Sequence, residues 1–399
     1  MRKLDFSRRS SRILNLLWKH GSLSKYDLMK MTRYSASSVT SAVDQMLGAG
    51  WIVQNDPVVV GAGRPPIPLS IRPDAAYAVG ASFHAGSVMA TVCDLRQAVL
   101  TQATRPVRDP NDRSEILRDV SSAIEQVIAE IGESKILGIG IGAPGTVDAA
   151  RGVGKAYCYM PGWINVPVRD FFEVAFGLPV AVENNIRTAA FGESIAGVAR
   201  DRNPVVFIGG STGIGAGIVM NGRIYVGRTG LAGEVGHMTV ERSGPKCRCG
   251  KRGCLECMVS TPAVVSRVAR SVAQGENRTV DELLCGGFGI ERVWVLSAAG
   301  DERVLAELQD VADYIAVGCI NVKLMFDPEM IVLGGDFVRG GEQLLQWVCE
   351  GMKRASGSVE ADRTQVVMSA LGDQASAIGA SCLAIQSATG MFSPGSQEV

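Results

Sequence analysis

Three stretches of the chain repeat one design. "KILGIGIGAPGTVD" (135–148), "NPVVFIGGSTGIGAGIVMNG" (203–222) and "PEMIVLGGDF" (328–337) each carry an unbroken apolar run straight into a glycine-rich turn. A strand covered on both faces reads as a continuous apolar run rather than as an alternation, and glycine at its end permits tight backbone turns. "AYAVGASF" (76–83) and "SVMATVCDL" (87–95) read as the two strands of a hairpin, and "SEILRDVSSAIEQVIAEIG" (114–132) as an amphipathic helix. Alternating strand and helix signals of this kind specify an α/β body that binds a nucleotide or another ligand. It begins after a linker that ends near Asp74.

With 399 residues, 46% hydrophobic and 20% charged, the chain has the composition of a soluble globular protein of two or three domains. About 18 uncharged apolar residues in a row would be needed to span a bilayer, and no such run occurs, so no membrane insertion and a cytoplasmic location are expected. In that compartment thiols stay reduced, and clustered cysteines point to metal rather than to disulfides. The net charge of zero hides an asymmetry: residues 1–72 hold 11 Lys and Arg against 4 Asp and Glu, leaving 29 against 36 for the remainder. A basic head on an acidic body implies that the head meets a polyanion, for which nucleic acid is the candidate.

The head has its own punctuation. "SRRSSRILNLLWKHG" (7–21) places Ile13, Leu14, Leu16 and Leu17 on one helical face and stops at Gly21. Ser24 and Asp27 are spaced as a capping box for a short second helix. Ser35 caps a third, whose inward stripe is Val39, Ala42, Val43, Met46 and Leu47, leaving Ser37, Ser38, Thr40, Ser41 and Gln45 outward. Small polar side chains on the last helix suit entry into the major groove of operator DNA. "WIVQNDPVVVGAGRPPIPLSI" (51–71) then offers two strands and a rigid tip, with Arg64 placed to meet a narrow minor groove. The whole reads as a winged helix-turn-helix.

"GHMTVERSGPKCRCGKRGCLEC" (236–257) gathers His237, Cys247, Cys249 and Cys254. One imidazole and three thiolates form a soft tetrahedral set that suits one structural zinc per chain, with no position left for a reactive water. Arg248, Lys251 and Arg252 lie in the same loop, either supporting the thiolates or simply solvated. Glu234 and Glu256 flank the cluster, so fixing the loop fixes two carboxylates that could grip adjacent hydroxyls of a sugar ring.

Taken in order, "GIGIGAPGTVD", "VENNIRTAAFGE", "STGIGAGIV", "GEVGHMTVERSGPKCRCGKRGCLE" and "DPEMIVLGGDF" resemble the ROK family of repressors and sugar kinases, over roughly residues 75–390. The "GRP" wing and the helices before it are similar to the DNA-binding head of ROK repressors. The resemblance implies a winged helix-turn-helix over 1–72 joined to an actin-like, ribonuclease-H-type α/β body of two lobes. The first lobe would take 75–185 with 375–399, the second 186–374 with the zinc loop, and a sugar cleft would lie between them. It also implies sugar contacts from Glu234, His237 and Glu256, the histidine using its second nitrogen, together with Asn165, Asn184 and Asn185. Cys257 lies outside the family pattern and reads as a core residue. Trp163 fits either stacking on a sugar or packing in a core.

Two departures separate the chain from the family's kinases. They read "ENDAN" where this chain has "ENNIR" (183–187), so Asn185 replaces the catalytic aspartate, and an amide has no useful basicity for accepting a hydroxyl proton. Their first phosphate loop, "DIGGTK", corresponds to "SFHAGS" (82–87), which lacks the acid, the glycine pair and the lysine. "STGIGAGIV", with Thr212, Gly213, Gly215 and Gly217, still resembles the second phosphate loop. The expected function is a sugar-responsive repressor that acts as a homodimer or tetramer and has no catalytic residue. The alternatives are an active sugar kinase with a DNA-binding head, and a repressor controlled by a sugar-transport protein.

Overall fold

A computed structural model describes residues 7–56, 67–276, 279–356 and 363–393. Their contacts divide the chain into two units, Met1–Thr188 with Ser376–Val399, and Ala189–Ala375.

The first unit opens with helices Arg8–His20, Lys25–Thr32 and Ala36–Gly48. Their ends are set locally. Ser7, Ser24 and Ser35 each accept a backbone N–H from the first turn, Ser24 and Asp27 form a reciprocal capping box, and Gly21 closes the first helix at φ 75°. Ile13, Leu14, Leu17, Leu28, Val39, Val43, Met46 and Trp51 form the core of the head. Strands Leu23–Ser24, Pro68–Ile71 and Ile52–Gln54 pair antiparallel in that order, as in a winged helix. Arg64 and the "GAGRPP" tip lie outside the described residues.

A five-stranded sheet follows, in the order Val180–Asn184, Ile136–Ala143, Tyr77–Phe83, Ser87–Asp94, Val99–Pro106. The first three strands are parallel and the rest antiparallel. Helix Arg113–Ile131 packs on the face that holds Val79, Ala81, Ile139 and Ile141. By the two-residue period of a strand, Gly80 and Gly140 point the other way, and there the helix Ala375–Thr389 lies against them: a Cβ on Gly80 would be 1.9 Å from Ala377 O. These glycines give the backbone of a helix room to approach a sheet. The segment "DQASAIGASCLAIQSA" thus returns to the unit that holds the first strands.

The expected linker near Asp74 is a fixed corner. Pro73–Ala75 is one 3-10 turn, Arg72 is bidentate to Asp74 at 2.9 and 3.1 Å, and Leu95 N–H donates to Pro73 O.

The second unit has a sheet in the order Arg223–Ile224, Ile214–Met220, Val205–Gly210, Met330–Gly335, Gln365–Met368. Val205–Gly210 pairs antiparallel with Ile214–Met220 and parallel with Met330–Gly335. Helices Thr261–Glu276, Glu302–Phe326 and Gly341–Ala355 build its core around Val268, Ile315 and Val348. "STGIGAGIV" is therefore the turn and second strand of a hairpin. Gly210, at φ 148°, sits where a Cβ would be 1.9 Å from Gly213 O, which is what its glycine serves locally. Among the described residues no helix is long and apolar enough to cross a membrane.

Candidate functional site

The cysteine loop closes on itself. Val240 and Glu241 N–H both donate to Gly253 O, and Cys247 N–H donates to Lys251 O at 2.7 Å, folding 236–257 so that its donors converge. One ligand atom from each of His237, Cys247, Cys249 and Cys254 lies within 4.8 Å of the others, a group that could hold a metal ion. Cys249 and Cys254 sulfurs are 3.6 Å apart, and Cys247 Sγ is 3.8 Å from His237 Nδ1. Tetrahedral thiolate ligation at about 2.3 Å gives ligand–ligand edges of about 3.8 Å, so the set fits a zinc-sized ion.

The Lys251 backbone N–H beside its sulfur draws the Cys249 thiol below its ordinary range. Burial first, and then the neighbouring sulfurs, push Cys254 up to about 12, a crowding that a divalent cation relieves. Lys251 Nζ is spent on His237 O at 2.7 Å, and Arg252 reaches Gly244 O, so both basic side chains brace loop carbonyls. Cys257 is half-buried rather than core. Its sulfur is 3.9 Å from Lys246 O, and its thiol is pushed up to about 12 by burial and then by Cys247.

The flanking carboxylates differ. Glu256 opens the short helix Glu256–Val259, is 6% exposed, and accepts from Ile214 N–H at 3.1 Å, which ties the cysteine loop to the second strand of the hairpin. Glu234 is exposed just before the turn Val235–His237. With Nδ1 of His237 turned to the cysteines, Nε2 is the nitrogen left for a second partner.

In the first unit, Asn184 ends its strand and caps the helix Asn185–Ile195. Its Oδ1 accepts from Ile186 and Arg187 N–H, and Nδ2 donates to Gly145 O at 2.8 Å. One N–H of that amide remains for a ligand. Asn185 Nδ2 donates to Phe83 O at 3.2 Å. Asn165 is exposed, at φ 48° in the strand Ile164–Val166. Trp163 is fully buried, edge-on to Phe83 at 5.1 Å between centroids, and belongs to the core.

His84 fills its own loop. Gly86 N–H donates to Nδ1 at 3.0 Å, so in the neutral ring the proton sits on Nε2, which reaches Ser87 Oγ at 3.0 Å. A backbone donor that a phosphate turn would offer outward is here turned onto an imidazole.

On the head, Ser37, Thr40, Ser41 and Gln45 are exposed along Ala36–Gly48, while Ser38 is half-buried and bonded to Ser35 Oγ at 2.9 Å. Asp44, on the same helix, pairs with Lys25 at 2.9 Å, which places an ion pair beside this face that the sequence reading did not include.

Two buried carboxylates also escaped the sequence reading. Glu183 pairs with Arg187 at 3.3 Å, both nearly inaccessible; burial raises its pKa, opposed by the Asn184 N–H and by Arg187. Glu193, fully buried, accepts from Ser369 Oγ, Leu371 N–H and Val198 N–H. The Glu183–Arg187 pair has an i,i+4 spacing that a sequence carries, whereas the partners of Glu193 lie up to 178 residues away.

Comparison with known proteins separates the head from the body, and the body match spans both units. Residues 83–387 match the ROK family and residues 6–55 the MarR family. The xylose repressor of Bacillus spizizenii is 26% identical over 377 residues, covering 94% of each chain. The glucokinase of Thermotoga maritima is 31% identical over 248 residues, 62% of this chain and 77% of its own. The crystal structure of a ROK family transcriptional regulator, a homologue of the E. coli MLC protein, has a TM-score of 0.80 at 25% identity over 96% of both chains. The chain belongs to the ROK family, in the form of its transcriptional regulators, with a MarR-type winged helix at the N-terminus and an actin-like ROK body behind it.

Proposed function

We propose that this protein is a sugar-responsive transcriptional repressor without a catalytic step. Its operator contacts would come from Ser37, Ser38, Thr40, Ser41 and Gln45 in the major groove and from Arg64 of the wing in the minor groove. Sugar hydroxyls would be held by Asn165, Asn184 and Asn185 of the first unit and by Glu234, His237 and Glu256 of the second. One zinc per chain, on His237, Cys247, Cys249 and Cys254, would fix the loop that carries the second set. A homodimer or tetramer would supply the two heads that half-sites one helical turn apart require.

The observation that carries this reading is the union of two things in one chain. A capped helix-turn-helix with a polar third helix stands before a ROK body in which Asn185, read as the base position, donates to Phe83 O, and His84, in the segment read as the first phosphate turn, accepts from Gly86 N–H. A sugar that favours one arrangement of the body then changes operator affinity by its differential binding. The similarity to a xylose repressor puts pentoses first among candidate effectors.

The test is a thermal-shift screen over xylose, other pentoses, hexoses, amino sugars, polyols and their phosphates, followed by operator binding with each hit. The expected result is one sugar class that raises the melting temperature and alters salt-sensitive operator binding. Sugar-dependent ATP turnover would overturn the reading in favour of a kinase. A silent panel beside capture of a sugar-transport protein would overturn it in favour of protein control.

A further inference from the structure

The helix Arg8–His20 has two working faces. Ile13, Leu14 and Leu17 enter the core of the head, whereas Ser11, Asn15 and Trp18, spaced four and three residues apart on another side, reach out of it. Ser11 Oγ donates to Thr389 O at 2.6 Å. Asn15 acts in both directions: Oδ1 accepts from Phe392 N–H at 2.6 Å, and Nδ2 donates to Gly390 O at 3.1 Å. Trp18 Nε1 donates to Gln97 Oε1 at 2.8 Å, and its ring meets Phe392 edge-on at 5.1 Å. Just past the helix, the Arg96 guanidinium donates to Gly21 O at 3.0 Å.

Both receiving segments are held firmly on their own side. Gln97 is buried in the turn between strands Ser87–Asp94 and Val99–Pro106, and its Nε2 donates to Leu95 O at 2.9 Å. The turn Gly390–Ser393 continues directly from the helix Ala375–Thr389, which lies against Gly80 and Gly140 of the sheet. Phe392 has φ 61°, a conformation that bulky residues keep only where neighbours impose it. Asn15 and Trp18 of the head hold it from one side, and from the other Gln386 Nε2, on the helix Ala375–Thr389, donates to Phe392 O at 3.1 Å.

We propose that the turn Gly390–Ser393 is a strap through which the C-terminal helix sets the orientation of the DNA-binding head, with Asn15 and Trp18 as positioning residues for operator binding. A head joined to its body only through residues 72–76 would take its orientation from that one corner. A second attachment along its first helix adds another fixed point, so two heads meet two half-sites already oriented. Displacement of the helix Ala375–Thr389 on its sheet passes straight to Asn15. The regulatory half of this inference rests on the reading as a sugar-responsive repressor; the attachment itself is tested without sugar or DNA.

Three variants of the full chain separate the outcomes. Asn15→Ala removes the two-way bond. Trp18→Phe removes a donor and keeps a ring. Gly390→Ala acts from the other side, since a Cβ there would lie 2.7 Å from Ser11 Oγ at a backbone φ of +69°. Hydrogen exchange of the Phe392 amide should rise by at least about tenfold in Asn15→Ala while amides of Ala36–Gly48 stay protected. Operator affinity should fall by about tenfold or more in each variant, and the ratio of affinities with and without sugar should shrink toward one, with the sugar-induced thermal shift retained.

Unchanged exchange at Phe392, or wild-type affinity and sugar ratio in all three variants, overturns the strap. Should Asn15→Ala lose protection throughout Ala36–Gly48, Trp18→Phe and Gly390→Ala decide by the same operator measurements. If no sugar affects operator binding by the unaltered protein, the functional reading fails, and the strap is then judged on exchange and absolute affinity alone.

Discussion

Gly140 and Ala380 meet backbone to backbone: a Cβ on Gly140 would lie 1.8 Å from the Ala380 carbonyl oxygen. The smallest side chain at this position must push the helix Ala375–Thr389 off the sheet. Gly140→Ala is expected to cost at least about 3 kcal/mol, since neither backbone can swing aside as a flexible side chain would. Urea denaturation should show a lower midpoint with an unchanged slope. A loss under about 1 kcal/mol would mean that the helix slides freely on its sheet.

Cys249→Ser takes one donor from a set of four. Zinc content should fall from one per chain toward none, and the melting temperature should drop, because an ion bound only by the folded loop stabilises it. A chelator should do the same to the unaltered protein. Loss of zinc with the sugar-induced thermal shift intact would reduce the cluster to scaffolding and separate it from Glu234, His237 and Glu256.

Restoring an acid at the base position should not restore a kinase. On the proposed reading of 82–87 as the kinases' first phosphate turn, His84 would still hold Gly86 N–H in Asn185→Asp, and a transferring phosphoryl group would lack that donor. ATP turnover of this variant with each sugar of the panel should stay at the background of a sugar-free control. Sugar-dependent turnover above it would show that His84 is no obstacle.

Glu193 gathers three donors in a dry interior. Glu193→Ala leaves them unpaired and should cost about 3–5 kcal/mol. Glu193→Gln should recover only part, because its NH2 group faces donors where the carboxylate offered a second acceptor. Equal stability of the two variants would argue that water replaces the carboxylate.

The head should carry an acid-sensitive cap. The Ser24 hydroxyl, donating to Asp27 Oδ2 at 2.6 Å, holds that carboxyl below its ordinary 3.8. A depressed pKa contributes stability that is present above the unfolded value and lost as pH falls through the folded one. Asp27→Asn should therefore cost stability at neutral pH, and the difference from the unaltered protein should shrink as pH falls below 3.8. Thermal unfolding across that range reads it; a difference that holds constant down to about pH 3 would assign the cap to hydrogen bonding without charge.

What the sequence made legible was local. The stop at Gly21, the Ser24–Asp27 box and the Ser35 cap depend on residues within four positions of one another, and the structure places each of them as the spacing predicts. The continuous apolar runs of 136–143, 205–210 and 330–335 likewise declared buried strands, because covering both faces leaves no polar alternation. The turn in "STGIGAGIV" was marked by its glycines, but they carry no information on which strands they join, and a hairpin emerged. Asn15 was one polar residue on an amphipathic helix, with a partner 377 positions away that no period reveals. Trp163 was ambiguous for a similar reason: an indole suits a core and a sugar face equally, and only its burial against Phe83 decides.

The placement of the helix Ala375–Thr389 also bears on how the chain is made. The strands that hold Gly80 and Gly140 are synthesised well before the helix that covers them. Until then one face of that sheet stays wet, and the first helix of the head rests on Gln97 through Trp18 while Asn15 still lacks Gly390 and Phe392. Domains generally fold as they emerge, but this DNA-binding head gains the footing of Asn15 only after the later helix Ala375–Thr389 has been made. A chain cut short before that helix would therefore bear a complete helix Ala36–Gly48 on a head that has lost one of its anchors.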